Sequence, residues 1–266
     1  MPDFQTSSDL ARSFDTGAAV YRDVTSSLGN HVYERVAESN LRSCTAGRRF
    51  RRVLDAGGGI GKWIPFLSHL AQAVDLVDIS SESVAVAKRT LADRYPQVSF
   101  TAGDLESTVY PSGSFDFVFA QGCVISYTPN PTAMLAEFHR LLEPGGALWL
   151  DAYNCLGWAI ESPVRDWKLL FVGVDTDHVF RMPDWDYSAR MFQPTYLVRL
   201  VEMAGFSVES EFGSVILSNS LTFEERDSAG FDPKVAETLC AQEVRLSRDH
   251  RSRGAGKNYG VYAIRR

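Results

Sequence analysis

Cysteine is scarce and scattered. Cys44, Cys123, Cys155 and Cys240 are the only four, and no C-x-x-C spacing joins them. Neither a zinc site nor a disulfide framework is expected from such a set. Long apolar runs are missing, and nothing approaches the roughly 20 residues that a membrane helix needs. The stretch from Met1 to Leu10 is polar and lacks the apolar centre of a secretory signal. The cytoplasm is therefore the expected location, with no membrane partner. Excess positive charge is absent as well. The net charge of −6 argues against a nucleic-acid partner, since such domains are usually basic. The run Arg48 to Arg52 is a local exception and reads as a solvated lead-in to a strand. No internal repeat or low-complexity segment is evident.

What is present is the composition of a packed α/β protein. Hydrophobic residues make up 45% of 266 residues, enough for one large domain with insertions. The chain is organised around residues 52–63. Val53 and Leu54 read as a short buried strand that Asp55 closes. Gly57, Gly59 and Gly61 follow as a tight turn in which a ligand meets bare backbone. Ile64, Phe66, Leu67 and Leu70 then recur at helical spacing. Strand, glycine turn and helix form a nucleotide-type binding corner.

Three ligands compete for that corner. A dinucleotide fingerprint, G-x-G-x-x-G, would put its third glycine at Lys62. A triphosphate loop, G-x-x-x-x-G-K-[ST], would need a hydroxyl where Trp63 stands. Asp55 also repels a phosphate. The same carboxylate suits a ligand with an ammonium and a sulfonium, as S-adenosylmethionine has. The pattern Asp55-x-Gly57-x-Gly59-x-Gly61 resembles motif I of the class I S-adenosylmethionine-dependent methyltransferases.

The rest of the chain extends that resemblance. Ala73 to Ile79 reads as the second strand. Asp78 lies near its end, at a distance from Gly59 suited to an acid that accepts ribose hydroxyls. Asp75 is its rival, placed earlier in the strand. Ile79 would pack on the adenine. Ser80 or Ser81 can cap the next helix. After the third strand, Val98 to Phe100, the resemblance gives Asp104 the adenine amine and Leu105 the adenine ring. Ser114 to Ala120 is a strand apolar enough to be buried on both faces. Gln121 at its end should border the methyl group. Cys123 reads as a small buried hydrophobe rather than a nucleophile. Pro131 to Leu142 is a helix, Glu143 to Gly146 turns the chain, and Ala147 to Leu150 is the fifth strand.

The resemblance implies an α/β fold: a seven-stranded, Rossmann-like methyltransferase sheet with helices on both faces and an antiparallel last strand. A single domain, 1–266, is expected. Residues 1–50 would form a helical cap, and 153–192 and 213–257 two insertions forming a substrate lid. In methyltransferases that this chain resembles, an aromatic from the N-terminal cap touches cofactor or substrate. Phe14 and Tyr21 are the candidates, Tyr21 combining a hydroxyl with a ring that can face a cation. The aromatic insertion offers Tyr153 and Trp185 for the acceptor, in preference to Trp158, and His178 as a base near neutral pKa. No metal is expected, because Gln121, Asp151 and Asn154 do not match the acids of metal-dependent catechol enzymes.

The implied activity is methyl transfer from S-adenosylmethionine to N or O of a small-molecule acceptor, a natural product or other metabolite. A cyclase on the same scaffold and a non-catalytic cofactor-binding protein remain the rival readings, since both would keep the glycine corner.

Overall fold

A computed structural model describes residues 4–24, 27–160, 177–181, 187–222, 224–225 and 231–266. Two helices come first, α1 (Ser7–Val24) and α2 (Leu28–Cys44). Strand β1 (Phe50–Ala56) leads through the glycine turn to α3 (Ile64–Leu70). Then β2 (Ala71–Asp78), α4 (Ser81–Leu91), β3 (Val98–Ala102) and β4 (Phe115–Ala120) alternate. The short α5 (Val124–Tyr127) precedes α6 (Pro131–Leu141) and β5 (Leu142–Asn154). The remainder comprises α7 (Cys155–Ile160), β6 (Asp177–Arg181), β7 (Ser188–Phe192), α8 (Pro194–Met203), β8 (Phe206–Ser214), α9 (Pro233–Arg248) and β9 (Asn258–Arg265).

The strands run β3-β2-β1-β4-β5 in parallel, and β9 then lies antiparallel between β5 and β8. These are the seven strands and the antiparallel last strand that the sequence implied. Two further strands, β6 and β7, form a hairpin inside the aromatic insertion. β7 pairs in parallel with the last two residues of β5.

The core follows from strand periodicity. Leu54, Val118, Leu148 and Val261 face α6 and α8, where Leu135, Phe138 and Val201 cover them. Val53, Phe117, Trp149 and Tyr262 face the other way, against Leu41 of α2, Ile64 of α3 and Ala87 of α4. Trp149 stacks on Phe212 with centroids 4.2 Å apart.

One expectation holds only in part: Arg48 and Arg49 are an exposed lead-in, whereas Phe50 to Arg52 already belong to β1. Arg52 Nε and Nη2 donate to both oxygens of Asp75, at 2.7 and 2.8 Å, and Ser99 adds a third donor to Asp75 at 2.6 Å. Among the described residues of segment 213–257, α9 lies against α2. Ala236 and Cys240 of α9 pack on Leu28, Val32 and Val36 of α2. Glu243, buried, accepts from the amides of Ile216 and Ser218 at 2.9 and 2.7 Å. The segment buttresses α2 from behind.

Asp75 is nearly buried while Arg52 is about a third exposed, so solvent screens part of the pair. Arg52→Met strands a buried carboxylate and should cost about 1–3 kcal/mol in urea unfolding. The double variant Arg52→Met/Asp75→Leu should recover most of it. A double variant no more stable than the single one contradicts this reading of the pair.

Candidate functional site

The site lies at the carboxyl ends of β1, β2, β3 and β4, where open α/β sheets bind ligands. Gly57 and Gly58 both donate to Val77 O, at 2.8 and 3.3 Å, which locks the turn onto β2. Gly57, Gly59 and Gly61 adopt φ of +72°, +53° and +83°, values that favour glycine. A Cβ at Gly57 would strike Val124 at 2.6 Å, and one at Gly61 would strike Leu91 at 2.4 Å. Gly59 differs: a Cβ there meets only Asp78 Oδ2, at 4.0 Å, so its backbone borders open space.

That space is a cleft of about 210 Å³, and its wall includes Asp55, Gly57, Gly59, Asp78, Ile79, Asp104, Leu105 and Gln121. Every residue singled out above for the cofactor, apart from Tyr21, is therefore gathered around one cavity. Tyr21 lies in α1, and its side chain falls outside the described residues. Asp78 accepts from Gly59 N and Ser80 N, each at 2.8 Å. Asp75 points instead to Arg52. Ser80, not Ser81, caps α4, accepting from Ser83 N at 3.1 Å. Asp104 Oδ1 accepts from Glu106 N at 2.9 Å, so one of its oxygens shapes its own turn.

Asp55 is buried, and its Oδ2 has no hydrogen-bond partner. Burial, then the neighbouring Asp78, pushes its pKa up to about 8. Burial also raises Asp78, against the two amides it accepts, and Asp15 adds to the rise. Asp15 comes from α1, where it accepts from Ser80 Oγ at 2.7 Å and Glu82 N at 3.1 Å. At the other end of α1, the Gln5 side chain donates to Ser188 O at 2.9 Å and accepts from Ser188 N at 2.6 Å. The helix is thus strapped across the cleft, with Leu10 and Phe14 on the cavity wall.

A second buried carboxylate, Asp151, sits behind the cleft. Its Oδ1 accepts from Gly122 N and Cys123 N at 2.9 and 2.8 Å. Its Oδ2 accepts from Tyr33 Oη and from Gln121 Nε2 at 3.2 Å. Gln121 Oε1 in turn accepts from Trp149 Nε1 at 2.6 Å. Gln121 is therefore held at both ends of its amide. Cys123 adopts a left-handed φ of +59°, and its buried thiol is pushed well up by burial and Asp151. That agrees with a small buried hydrophobe and gives no activated nucleophile. Asn154 donates to Gly254 O and Gly256 O at 2.8 and 2.7 Å, a structural task.

The aromatic insertion reaches the cleft through Tyr187, which the sequence reading did not single out. Its ring stacks on Phe14 at 5.2 Å and meets Tyr127 edge-on at 5.3 Å. Tyr153 does not line the cavity. It stands behind Tyr127, hydroxyl to hydroxyl at 2.5 Å, and packs against Trp158 at 5.1 Å. Trp185 lies outside the described residues. His178 falls in β6, paired with Met191, and its side chain is likewise outside them. Sequence reasoning also passed over Tyr33 and Tyr127. Asn30, Tyr33 and Glu34 share one helical face of α2, a spacing that could have pointed to Tyr33.

A larger groove, about 440 Å³, runs outside α2 and α3. It lacks the glycine turn, and charged residues on its wall already pair, as Arg42 does with Glu38 at 2.7 Å.

This geometry defines a class. Residues 53–146 match the family model described as "Methyltransferase domain". Solved S-adenosylmethionine-dependent methyltransferases share the fold at 17–18% identity, a likeness of fold, and the methyltransferase family match lies in residues 53–146. An arsenite methyltransferase of Aquipseudomonas alcaligenes is 40% identical over 114 residues, 38% of this chain and 33% of that protein. A ubiquinone biosynthesis O-methyltransferase of Xanthomonas oryzae pv. oryzae is 34% identical over 104 residues, 39% of this chain and 43% of that protein. The chain thus spans between a third and a half of these relatives' length. The [4+2]-cyclase SpnF superposes with a TM-score of 0.65, covering 100% of this chain and 98% of that one. At 18% identity that likeness is one of fold alone.

The cofactor of this family fits the cleft on two observations. Asp55 leaves a buried carboxylate oxygen without a donor, as a cationic ligand requires. Gly59 leaves bare backbone facing open space. Among the described residues no helix is long and apolar enough to cross a membrane.

Asp151 offers a test of the network. Burial raises its pKa from 3.8 to about 6, although four donors oppose the rise. A carboxyl whose folded pKa is raised contributes stability below about pH 4 that is lost as pH climbs through about 6. Chemical denaturation of Asp151→Asn against the parent should therefore show a stability gap that changes between pH 4 and pH 6 and is flat above pH 7. A pH-independent gap would mean that Asp151 is ionised throughout.

Proposed function

We propose that this protein transfers a methyl group from S-adenosylmethionine to an oxygen or nitrogen of a small-molecule acceptor. The buried Asp55, whose Oδ2 has no hydrogen-bond partner, carries the reading, because an acid in that place becomes favourable when a cation enters. When bound, S-adenosylmethionine supplies an already activated methyl on a sulfonium.

The chain's own residues then have binding and alignment to perform. Asp55 would face positive charge. Asp78, fixed by Gly59 N and Ser80 N, would take the ribose hydroxyls, with Ile79, Asp104 and Leu105 around the adenine. Phe14 on α1 closes the cleft from above. Gln121, immobilised by Trp149 and Asp151, keeps the end of β4 in one position. Fixed orientation of this kind supplies roughly 7–11 kcal/mol in well-positioned systems. A neutral amine needs little else, whereas a hydroxyl acceptor gains about a hundred-fold from a base. His178 and Tyr21 remain the candidates proposed for such catalytic roles, with Trp185 for the acceptor, while Tyr153 supports the wall through Tyr127. A thiophilic acceptor such as arsenite finds no support, since none of the four cysteines lines the cleft.

The direct test is incubation with methyl-labelled S-adenosylmethionine and metabolite extracts, read by mass spectrometry for a gain of one methyl. Cofactor binding without any methyl gain would favour a protein that uses the fold for something else.

Calorimetry should detect S-adenosylmethionine and S-adenosylhomocysteine, and neither NAD nor ATP. Asp55→Asn should weaken S-adenosylmethionine by about ten-fold or more, the loss expected of a desolvated charge partner. Its effect on the free protein runs the other way. The stability associated with protonated Asp55 is lost as pH rises from about 4 through about 8. The Asn variant, which cannot ionise, should therefore melt at higher temperature than the parent above pH 8. Tighter binding by the variant, or a lower melting temperature there, sinks the assignment.

A further inference from the structure

The cleft wall is divided. Its charged residues, Glu34, Asp55, Lys62, Asp78 and Asp104, all belong to the half built by the glycine turn, the ends of β1 to β3 and the adjoining face of α2. The other half is walled by Leu10, Phe14, Tyr127, Met134 and Tyr187. It has no charged lining residue among those described.

Polar atoms in that second half are engaged with one another. The Tyr127 hydroxyl meets that of Tyr153 at 2.5 Å, and burial keeps the Tyr127 pKa far above its ordinary value. Thr128 donates to Glu106 at 2.5 Å. What this half presents is ring and methylene surface. Its three rings come from different elements: Phe14 from α1, Tyr127 from α5, Tyr187 from the start of the β7 segment. The Phe14 and Tyr187 rings lie within 23° of parallel, and Tyr127 stands nearly perpendicular to both, at 78° and 84°. The three rings pack on one another, so a flat molecule entering here meets a preformed aromatic wall. A charged molecule loses water and gains no counter-charge.

We propose that the acceptor is an uncharged, planar aromatic molecule, a phenol or an aryl amine, recognised through its ring by Phe14, Tyr127 and Tyr187. The proposal rests on the methyl-transfer reading for what happens to the acceptor, but the recognition can be measured without turnover. In the balanced step, the acceptor's O or N lone pair forms the bond to carbon and the carbon–sulfur bond electrons stay on sulfur. The O–H or N–H proton leaves to solvent.

Three probes on one fused two-ring frame separate the alternatives: naphthol, hydroxynaphthoate with an added carboxylate, and decahydronaphthol with puckered rings. Each is titrated into the full chain by ligand-detected NMR, with and without S-adenosylhomocysteine. Naphthol should bind about ten-fold more tightly than either of the others. Tyr187→Ala should weaken naphthol by a similar factor, Tyr187→Phe should restore it, and S-adenosylhomocysteine affinity should stay the same in both. The retained affinity certifies the fold. Failure of naphthol to bind, equal or tighter binding of the carboxylate or the puckered alcohol, or indifference to Tyr187→Ala overturns the proposal. If naphthol shows its preference while S-adenosylhomocysteine fails to bind, the aromatic chamber stands and the methyl-transfer reading falls.

Discussion

A carboxylate buried without a partner is the constraint on which the site depends. Asp55 closes β1 at the point where the chain turns on three glycines, and its Oδ2 has no donor. Burial alone would be costly for an ionised group. The protein adds to the cost by setting Asp78 beside it, with Asp15 of the strap beyond. A corner of this kind stays protonated when empty and becomes favourable when a cation enters. Ligand choice at the glycine turn is thus set less by the glycines, which many nucleotide sites share, than by the acid before them.

The sheet makes that corner by register. Parallel pairing puts Ala56 beside Val77, so the glycine turn starts level with Asp78. The same stacking brings the ends of β3 and β4 alongside. Asp151 performs the corresponding task one strand further on, gathering Gly122, Cys123, Gln121 and Tyr33. The ends of β1 and β4 therefore rest on two buried acids with opposite situations. Asp55 lacks donors, while Asp151 has a full set and still sits above its ordinary pKa. The first is arranged to receive a ligand, the second to hold protein in place.

Sequence reading recovered what is local. The glycine turn, Asp78 and the capping Ser80 follow from spacing within one β-α-β unit. Strands β1, β2, β4 and β5 follow from apolar runs with buried stretches, and the edge strand β3 from the alternation of Val98, Phe100 and Ala102. Contacts between distant segments were not legible. Tyr33, Tyr127 and Tyr187 share one cleft but lie far apart in the chain, with no common periodicity. Arg52 looked solvated because its partner, Asp75, lies on the neighbouring strand. The β6–β7 hairpin is hard to read in the sequence because Asp177 to Arg181 do not alternate apolar and polar. The helical pattern within 213–257 is legible, but the packing of α9 on α2 depends on a helix stripe, Ala236 and Cys240, whose partner no sequence reveals.

The central claim is that Asp55 is held protonated until a cationic ligand enters. Carbon-detected NMR of the Asp55 side-chain carboxyl, assigned through Asp55→Asn, measures this directly. In the free protein the carboxyl should titrate near pH 8, and with S-adenosylmethionine bound it should be ionised at neutral pH. An Asp55 already ionised at pH 6 in the free protein, or one whose titration S-adenosylmethionine leaves unmoved, would contradict the account.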